Sequence, residues 1–408
     1  MKKVLIVFAL VLSLFTLSAC GGEESAQGVT DSTVTVGNTA ATSGDLAFVG
    51  EPFNQALEAY FDMVNEDGGV NGRTIEFKHY DDGFDAAQGL AYTQTLVEDD
   101  EVFALVGHFG TPTVGNTLDY LDGIGIPRVY YATGISALFN TDATDGERSS
   151  FPVQPIYDAE GEVMVARAIA EFGAENIGVI YTNADDGRGL LNGIQLRADI
   201  EGVNVPAIIQ VAPTQTDMSA AAQVLIDAGV DVILVAANQA PATTAVLALN
   251  EQGNTVPVIT SYVNANDTWL AGVSEALANF DIYASSWIDI FDAEGNFSAE
   301  YLEFAEEVSK VDESLASNSY AFAGWIAAAT FVEGLRRVGE EPLTWENYIN
   351  AMEEEPVPFP FGGLLDFADG RRVGTQAMAF LKGTIDGETI TFVNDKPIET
   401  IDEILDQE

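Results

Sequence analysis

From residue 33 onwards the chain alternates short apolar runs with stretches in which apolar residues recur at helical spacing. Runs rich in Val, Ile, Phe and Tyr predict buried strands, and apolar positions three and four apart predict the helices that cover them. In the first third of the chain we predict strands at 33–39 and 74–80, helices at 52–65 and 86–99, and further strands at the start of 102–113 and of 126–134. This alternation predicts a parallel sheet covered by helices.

Two of these predicted strands end in clusters of small and polar residues. The run 102–113 ends in Gly-His-Phe-Gly-Thr-Pro-Thr, and the run 126–134 ends in Tyr-Ala-Thr-Gly. The carboxyl ends of parallel strands are where open α/β sheets bind ligands. Thr111 followed by Pro112 predicts a helix that begins there, with Thr111 as its N-cap and with free N–H groups that can bind an anion. Alternatively, Thr111 only caps its own helix.

The middle of the chain repeats the same alternation. Four strands are predicted at 177–183, 205–211, 230–236 and 256–261, with helices at 189–202, 218–228 and 243–251. Later segments predict helices at 299–310, 319–338 and 345–352, then strands at 364–367, 377–382 and 389–393. The predicted fold class is therefore α/β, with two Rossmann-like lobes, each a parallel sheet between layers of helices.

The N-terminus has the pattern of a secretory signal. Lys2 and Lys3 precede an uncharged apolar run, 4–17, which is too short to span a bilayer comfortably. The sequence Leu-Ser-Ala-Cys ending at Cys20 resembles the lipobox of bacterial lipoproteins, in which the Cys carries the lipid. Cys20 is also the only cysteine, so the chain cannot form an internal disulfide. Residues 1–20 are thus predicted to be a lipoprotein signal, and 21–32 a flexible tether.

Charge and composition exclude several classes of function. The net charge of −48, which becomes −50 without the two signal lysines, disfavours nucleic acid and anionic lipid as partners. Two histidines are too few for a histidine-rich metal site, and no Gly-x-Ser-x-Gly elbow or P-loop is present. The pattern Gly187-x-Gly189-x-x-x-Gly193 has one residue more between its last two glycines than the Gly-x-Gly-x-x-Gly motif of dinucleotide sites. We therefore expect no enzymatic activity, cofactor or metal.

The three acids Asp81, Asp82 and Asp85 could be interpreted as part of a calcium loop. They lack the distal Glu and the regular alternation of an EF-hand, and a turn between a strand and a helix explains them better.

Several short motifs, taken together, resemble the solute-binding proteins of branched-chain amino-acid ABC transporters, the Leu/Ile/Val-binding family. The resemblance covers nearly all of the chain that follows the signal. It rests on the order and spacing of Ser43-Gly44, Asn-Glu-Asp-Gly-Gly-Val-Asn-Gly-Arg at 65–73, Tyr-Asp-Asp at 80–82, Gly107-His108, Ala-Thr-Gly at 132–134, Pro-Ile-Tyr at 155–157, Glu160-Gly161, 177–183 and 321–329. It implies the type I periplasmic binding protein fold, with two lobes joined by a three-strand hinge.

The resemblance also implies a domain arrangement and a setting. The chain would cross between lobes near Gln154, 283–285 and Gln376. Lobe 1 would comprise 33–154 plus 286–376, lobe 2 would comprise 155–285 plus 377–395, and 396–408 would form a C-terminal tail. We expect a monomer anchored by lipid on the extracytoplasmic side of the membrane, which passes its solute to the permease of an ABC transporter. A sensor that hands its liganded form to a signalling partner would share this fold.

The resemblance assigns the family's ligand-binding positions to individual residues of this chain. The resemblance implies that lobe 1 holds a ligand carboxylate through the hydroxyls of Thr111 and Thr133 and the backbone N–H groups of Thr113 and Ala132. Gly134 departs from a hydroxyl residue that is often found there, so one hydrogen bond is missing. From lobe 2 we expect ligand contacts from four residues, namely Tyr157, Asp186, Gln239 and Tyr262.

The ligand itself is left open by the sequence. Family members that bind amino acids place an acid against the ammonium group, but the expected strand end reads Thr260-Ser-Tyr and the preceding one offers Asn238-Gln. Asp186 is the nearest substitute, so branched-chain amino acids stay the first expectation and aromatic or aliphatic acids or amides the alternative. An apolar ligand body would suit the aromatic residues expected near the cleft: Phe48, Phe109, Tyr131, Tyr157 and Tyr262.

Overall fold

The computed structural model describes residues 26–291, 296–387 and 389–407 of the 408-residue chain. The predicted signal with Cys20 and the first part of the predicted tether lie outside the described residues. Within the described ranges, no helix combines the length and the apolar character that a membrane crossing requires.

The first lobe is built on a parallel sheet of five strands. Its first elements are β1 (Thr33–Ala40), α1 (Ala47–Glu66), β2 (Thr74–Asp81), α2 (Ala86–Gln94), β3 (Ala104–Phe109), α3 (Thr111–Ile124), β4 (Arg128–Ala132) and β5 (Ser150–Phe151). The strands are ordered β2-β1-β3-β4-β5, and every neighbouring pair is parallel. The carboxyl ends of β3 and β4 therefore lie side by side, as the sequence predicts.

The second lobe follows without interruption. It contains α4 (Tyr157–Phe172), β6 (Asn176–Thr182), α5 (Asp185–Glu201), β7 (Asn204–Val211), α6 (Ser219–Asp227), β8 (Val232–Ala236), α7 (Ala240–Glu251), β9 (Val258–Thr260), α8 (Asp267–Gly272) and β10 (Ile282–Ser286). Strand β8 shows why the predicted strands of this lobe are continuously apolar. Its residues Val232 and Leu234 pack into one buried cluster, and Ile233 and Val235 pack into another on the opposite face of the sheet. Both faces of the sheet are covered.

The last third of the chain contributes to both lobes. Its elements are α9 (Ala299–Ser309), α10 (Ser319–Val338), α11 (Trp345–Glu354), β11 (Val357–Phe359), β12 (Gly363–Leu365), β13 (Ala377–Asp386), β14 (Thr389–Thr400) and α12 (Ile401–Leu405). Helix α10 packs on α1 in the first lobe. Strands β13 and β14 extend the second sheet to the order β14-β13-β10-β9-β8-β6-β7.

The edge of the second sheet differs from the predicted parallel pattern. Strands β6 to β10 are parallel, but β13 is antiparallel to β10, and β14 is antiparallel to β13. The hairpin between β13 and β14 turns at Gly387, whose φ of 63° suits glycine. Strand β14 continues to Thr400, and Arg197 of α5 donates to the Leu405 carbonyl. The segment 396–408, predicted as a tail, thus begins inside this edge strand.

The chain passes between the two lobes after β5, after β10 and before β13. The first and third passages lie side by side, because the Thr375 N–H donates to the Val153 carbonyl oxygen at 2.6 Å. A hinge of adjacent extended segments lets two rigid lobes rotate with small changes in a few backbone angles.

Several helix starts differ from the prediction, among them that of α7, which begins at Ala240 rather than at 243. Helix α1 begins at Ala47 rather than at 52, so Pro52 lies inside the helix and not in its first turn. Helix α5 begins at Asp185 rather than at 189, since the two acids fit the positive end of the helix dipole. Helix α3 has Gly110, not Thr111, as its N-cap.

Candidate functional site

The candidate site begins where β3 and β4 end in lobe 1. Gly110 has a φ of 94°, which only glycine adopts readily, and this turn sends the chain directly into α3. The Gly110 N–H donates to the Ala132 carbonyl oxygen at 3.4 Å. Thr111 Oγ1 lies 2.8 Å from Thr133 Oγ1, so the two hydroxyls predicted to face a ligand carboxylate are adjacent. The interpretation of Thr111 as a helix cap is wrong, because its hydroxyl contacts Thr133 instead.

Thr113 faces the interior of lobe 1 with its side chain. The residue is fully buried, and its methyl group packs against Gly89 of α2. Its contribution to a ligand is therefore restricted to the backbone N–H, as the sequence comparison implies. The first N–H groups of a helix have no partner within the helix, so the first turn of α3 offers donors to an anion.

Tyr157 and Tyr262 connect the lobe 1 part of the site with lobe 2. Tyr157 is the first residue of α4, and its N–H donates to the Gly134 carbonyl oxygen at 2.7 Å. Its ring stacks on that of Tyr262, with centroids 5.8 Å apart and planes inclined by 19°. Burial, with a further contribution from the charge of Asp186, raises the pKa of Tyr157 well above its usual value, while a hydrogen bond with Thr133 opposes the shift.

Gly134 leaves no room for a side chain. A Cβ at this position would lie 2.5 Å from the Tyr262 hydroxyl and 2.6 Å from the Pro155 carbonyl oxygen. The Tyr262 hydroxyl donates to that carbonyl at 3.0 Å and accepts from Gln154 Nε2 at 2.9 Å. The hydroxyl side chain that the family often has at this position is replaced here by the hydroxyl of Tyr262, which fills the same space.

Lobe 2 presents hydrogen-bond acceptors. Asp186 lies half-buried in the first turn of α5, and burial raises the pKa of its carboxyl. Asn238, just after β8, donates from Nδ2 to Asp186 Oδ2 at 3.0 Å. That bond turns Asn238 Oδ1 away from the carboxylate, and this buried oxygen has no hydrogen-bond partner among the described residues. The Asp186 carboxylate and the unpaired Asn238 oxygen are both acceptors, and acceptors suit a donor such as an ammonium group.

Gln239 has an unusual backbone conformation. Its φ of 53° and ψ of −121° are rare for any residue other than glycine. The Gln239 N–H donates to Asn264 Oδ1 at 2.6 Å, and its carbonyl accepts from Thr243 Oγ1 at 3.1 Å. Strained backbone of this kind is common at ligand sites, and a ligand contact from Gln239 stays a prediction.

Two residues near the site, Tyr320 and Asn266, are not predicted from the sequence. Tyr320, at the start of α10 in lobe 1, accepts from Asn266 Nδ2 of lobe 2 at 3.3 Å, and its ring packs edge-on against Phe48 at 6.2 Å. The helical spacing around Tyr320 resembled that of a core helix, and no local pattern pairs it with Asn266. Phe48 is 53% exposed and is thus available to a ligand.

Other predicted candidates belong to the interior. Phe109 packs on Phe53, and Tyr131 is buried with its hydroxyl 3.1 Å from Ser150 Oγ, so neither ring is free for a ligand.

Asp85 accepts from two N–H groups at the start of α2, as the turn interpretation requires. His108 is fully buried, and burial lowers its pKa to about 3, which fits a structural role.

Comparison with known proteins identifies the family and supports the fold. The Periplasmic binding protein family model matches residues 33–388. Leu/Ile/Val-binding protein homolog 3 of Brucella melitensis is 24% identical over 208 residues, which cover 49% of this chain and 53% of that protein. The chain thus spans about half the length of this relative.

Solved structures agree with the fold over more of the chain. A fatty acid ABC transporter substrate-binding protein from Thermomonospora curvata superposes with a TM-score of 0.79 at 22% identity, covering 94% of this chain and 96% of that one. A branched chain amino acid ABC transporter structure from Thermus thermophilus with bound valine gives 0.77 at 17% identity, covering 91% and 97%. The two lobes, the hinge and the matched length together establish that the chain belongs to the periplasmic binding protein family.

Proposed function

We propose that this protein is the solute-binding component of an ABC importer and that it captures a small apolar α-amino acid, with leucine, isoleucine and valine as the leading ligands. The single observation that carries this proposal is the pairing of donors on lobe 1 with acceptors on lobe 2. An α-amino acid carries the complementary pair of charges on adjacent atoms.

The lobe 1 half of the site suits a carboxylate. The hydroxyls of Thr111 and Thr133 are adjacent, and the first N–H groups of α3 lie beside them. Hydroxyl and N–H donors at the positive end of a helix are the groups that bind a carboxylate in proteins.

The lobe 2 half suits an ammonium group. Asp186 supplies the negative charge and Asn238 Oδ1 supplies a second acceptor that has no other use among the described residues. The raised pKa of Asp186 reflects burial of a carboxyl without a cationic partner. An arriving ammonium would provide that partner and favour the ionised carboxylate.

The stacked pair of Tyr157 and Tyr262, together with the exposed ring of Phe48, suits an apolar side chain. Because the carboxylate partners lie in one lobe and the ammonium partners in the other, the ligand contacts all of them only when the lobes are closed. This difference in affinity would shift the population towards the closed state.

The second candidate is an aliphatic or aromatic acid without an amine. It is favoured by one observation: the strand end after β9 offers Ser261 and Tyr262 rather than an acid, and a related fold is that of a fatty acid substrate-binding protein. In this case Asp186 would bind no charged ligand group, and its half-buried carboxyl would keep the raised pKa that burial gives it.

A thermal-shift screen distinguishes the two candidates. We expect L-leucine, L-isoleucine or L-valine to raise the melting temperature, and their matched acids without the amine, such as 4-methylpentanoate for leucine, to have little effect, because ligand binding to the folded state stabilises it by mass action. Stabilisation by 4-methylpentanoate or by an aromatic acid, but by none of the twenty amino acids, would favour the second candidate.

The proposed setting is extracytoplasmic, with a membrane permease as partner and Cys20 as the lipidated residue. Changing Cys20 to Ala should release the protein from the membrane fraction, because the lipid on Cys20 is the proposed attachment to the membrane. Cell fractionation measures this, with Ser25→Ala in the tether as the matched control that should stay membrane-bound. Retention of the Cys20→Ala protein in membranes would contradict the anchor.

A further inference from the structure

Glu160 is a buried acid directly behind the candidate site. It lies in the first turn of α4, three residues after Tyr157, and none of its surface is exposed (0%). The Tyr262 N–H donates to Glu160 Oε1 at 2.6 Å, and Ser261 Oγ donates to Glu160 Oε2 at 2.9 Å. One carboxyl group therefore joins α4 to the loop that follows β9.

That loop carries Tyr262, whose two ends are both fixed. Glu160 binds its backbone N–H, and the hinge residues Gln154 and Pro155 bind its hydroxyl. Tyr157, which stacks on the ring of Tyr262, belongs to the same turn of α4 as Glu160. The relative position of the two tyrosines thus depends on the contacts made by Glu160.

Within the part of the chain that the structure describes, no cation pairs with this carboxyl. Burial raises the pKa of Glu160 to about 8, and the hydrogen bonds from Tyr262 and Ser261 oppose the shift only in part. At neutral pH the carboxyl is therefore mostly protonated and carries an O–H. Ser285 Oγ of β10 also faces the carboxyl and opposes the shift when it donates to the ionised form. It has no geometric hydrogen-bond partner among the described residues, so its hydroxyl can turn to accept a hydrogen bond from the neutral carboxyl.

The remaining groups around α4 do not supply a charge near Glu160. The titratable side chains that face it are the neutral hydroxyls of Tyr157 and Tyr262. Three charged residues lie further along α4. Glu162 is attracted to Arg197, whereas Arg167 and Glu171 pair with each other and Arg167 also pairs with Glu399 of β14.

We propose that Glu160 is a positioning residue of the ligand site that works in its neutral form, and that its ionisation in alkaline solution loosens the Tyr262 loop and weakens ligand binding. A buried carboxylate without a cation is costly, so the ionised form gains by opening towards water. The expected change in ligand affinity rests on the proposed function, whereas the expected change in the hydrogen exchange of the Tyr262 loop does not.

The test compares wild type, Glu160→Gln and Glu162→Gln at pH 7 and pH 9. Gln keeps an acceptor for the Tyr262 N–H but cannot ionise. Glu162, a half-buried acid on the same helix with no contact to the Tyr262 loop among the described hydrogen bonds, is the matched control. Hydrogen exchange of the 258–264 segment, corrected for the intrinsic rate, reports on the loop without ligand, and calorimetric titration with L-leucine reports on binding.

From pH 7 to pH 9 we expect wild type and Glu162→Gln to lose about tenfold both in protection of this segment and in affinity, and Glu160→Gln to change less than about twofold. The ammonium group of leucine loses its proton to the same extent in all three experiments. Its contribution to the change in affinity is therefore the same for each protein and cancels in the comparison. A parallel loss in wild type and Glu160→Gln, or no loss in wild type, would overturn the proposal.

The exchange comparison in wild type stands even if Glu160→Gln folds poorly. If L-leucine binds at neither pH, the proposed ligand class is wrong, whereas the exchange data still decide the role of Glu160.

Discussion

Replacing Asp186 by Asn is expected to weaken the binding of L-leucine at least about 30-fold, since removing one partner of a buried charge pair costs about 2 kcal/mol or more. Asp186 is the acid that we propose as the ammonium partner in lobe 2, and Asn238 already donates to one of its oxygens. The neutral amide would leave the ligand's ammonium without a counter-charge. Isothermal titration calorimetry of both proteins measures the change.

Asp185→Asn provides the matched control for this substitution. Asp185 is the neighbouring acid in the same helix turn, but it is exposed and pairs with Arg188. Its replacement should change leucine affinity less than about twofold, because exposed ion pairs contribute little. An equal loss in both variants would point to a general electrostatic effect or to damage to α5, and unchanged affinity in Asp186→Asn would remove Asp186 from the site.

Changing Gly134 to Ala should damage both the fold and ligand binding. The new methyl group would stand 2.5 Å from the Tyr262 hydroxyl and 2.6 Å from the Pro155 carbonyl, and these two groups are hydrogen-bonded to each other. Overpacking of this kind costs about 1–3 kcal/mol. Because the displaced ring is the one that stacks on Tyr157, we expect leucine affinity to fall more than about tenfold. Chemical denaturation and calorimetry measure the two effects.

Gly123→Ala is the control for Gly134→Ala. Gly123 is exposed near the end of α3, and a Cβ there would meet no atom within 4 Å. An Ala in a helix stabilises it by about 0.5–1 kcal/mol relative to Gly, so this variant should be slightly more stable and should bind leucine normally. If Gly134→Ala behaved in the same way, the close packing of Tyr262 on Gly134 would not matter to the site.

The strands of both lobes were largely predictable because buried parallel strands are short, continuously apolar runs bounded by turn residues. The predicted helix 319–338 coincides with α10, Ser319–Val338. The proximity of Thr111 and Thr133 also followed from the sequence, since the carboxyl ends of neighbouring parallel strands meet at one edge. These features depend on local patterns and on the rules of sheet geometry.

Other parts of the site depend on contacts that have no local signal. Tyr320 and Asn266 are 54 residues apart and come from different lobes, so their hydrogen bond cannot be inferred from spacing. Glu160 entered the sequence analysis only as part of a family motif, and no local pattern indicates that its carboxyl binds the Tyr262 loop, 102 residues away along the chain. The antiparallel β13 follows a passage between lobes, and its direction depends on the hinge rather than on its own sequence.

We propose that the two lobes close on an amino acid whose carboxylate binds lobe 1 and whose ammonium binds lobe 2. Small-angle X-ray scattering can compare the free protein, the protein saturated with L-leucine, and the protein with 4-methylpentanoate. We expect a smaller radius of gyration with leucine and an unchanged one with 4-methylpentanoate. An unchanged radius at saturating leucine, or equal compaction by the acid without an amine, would contradict it.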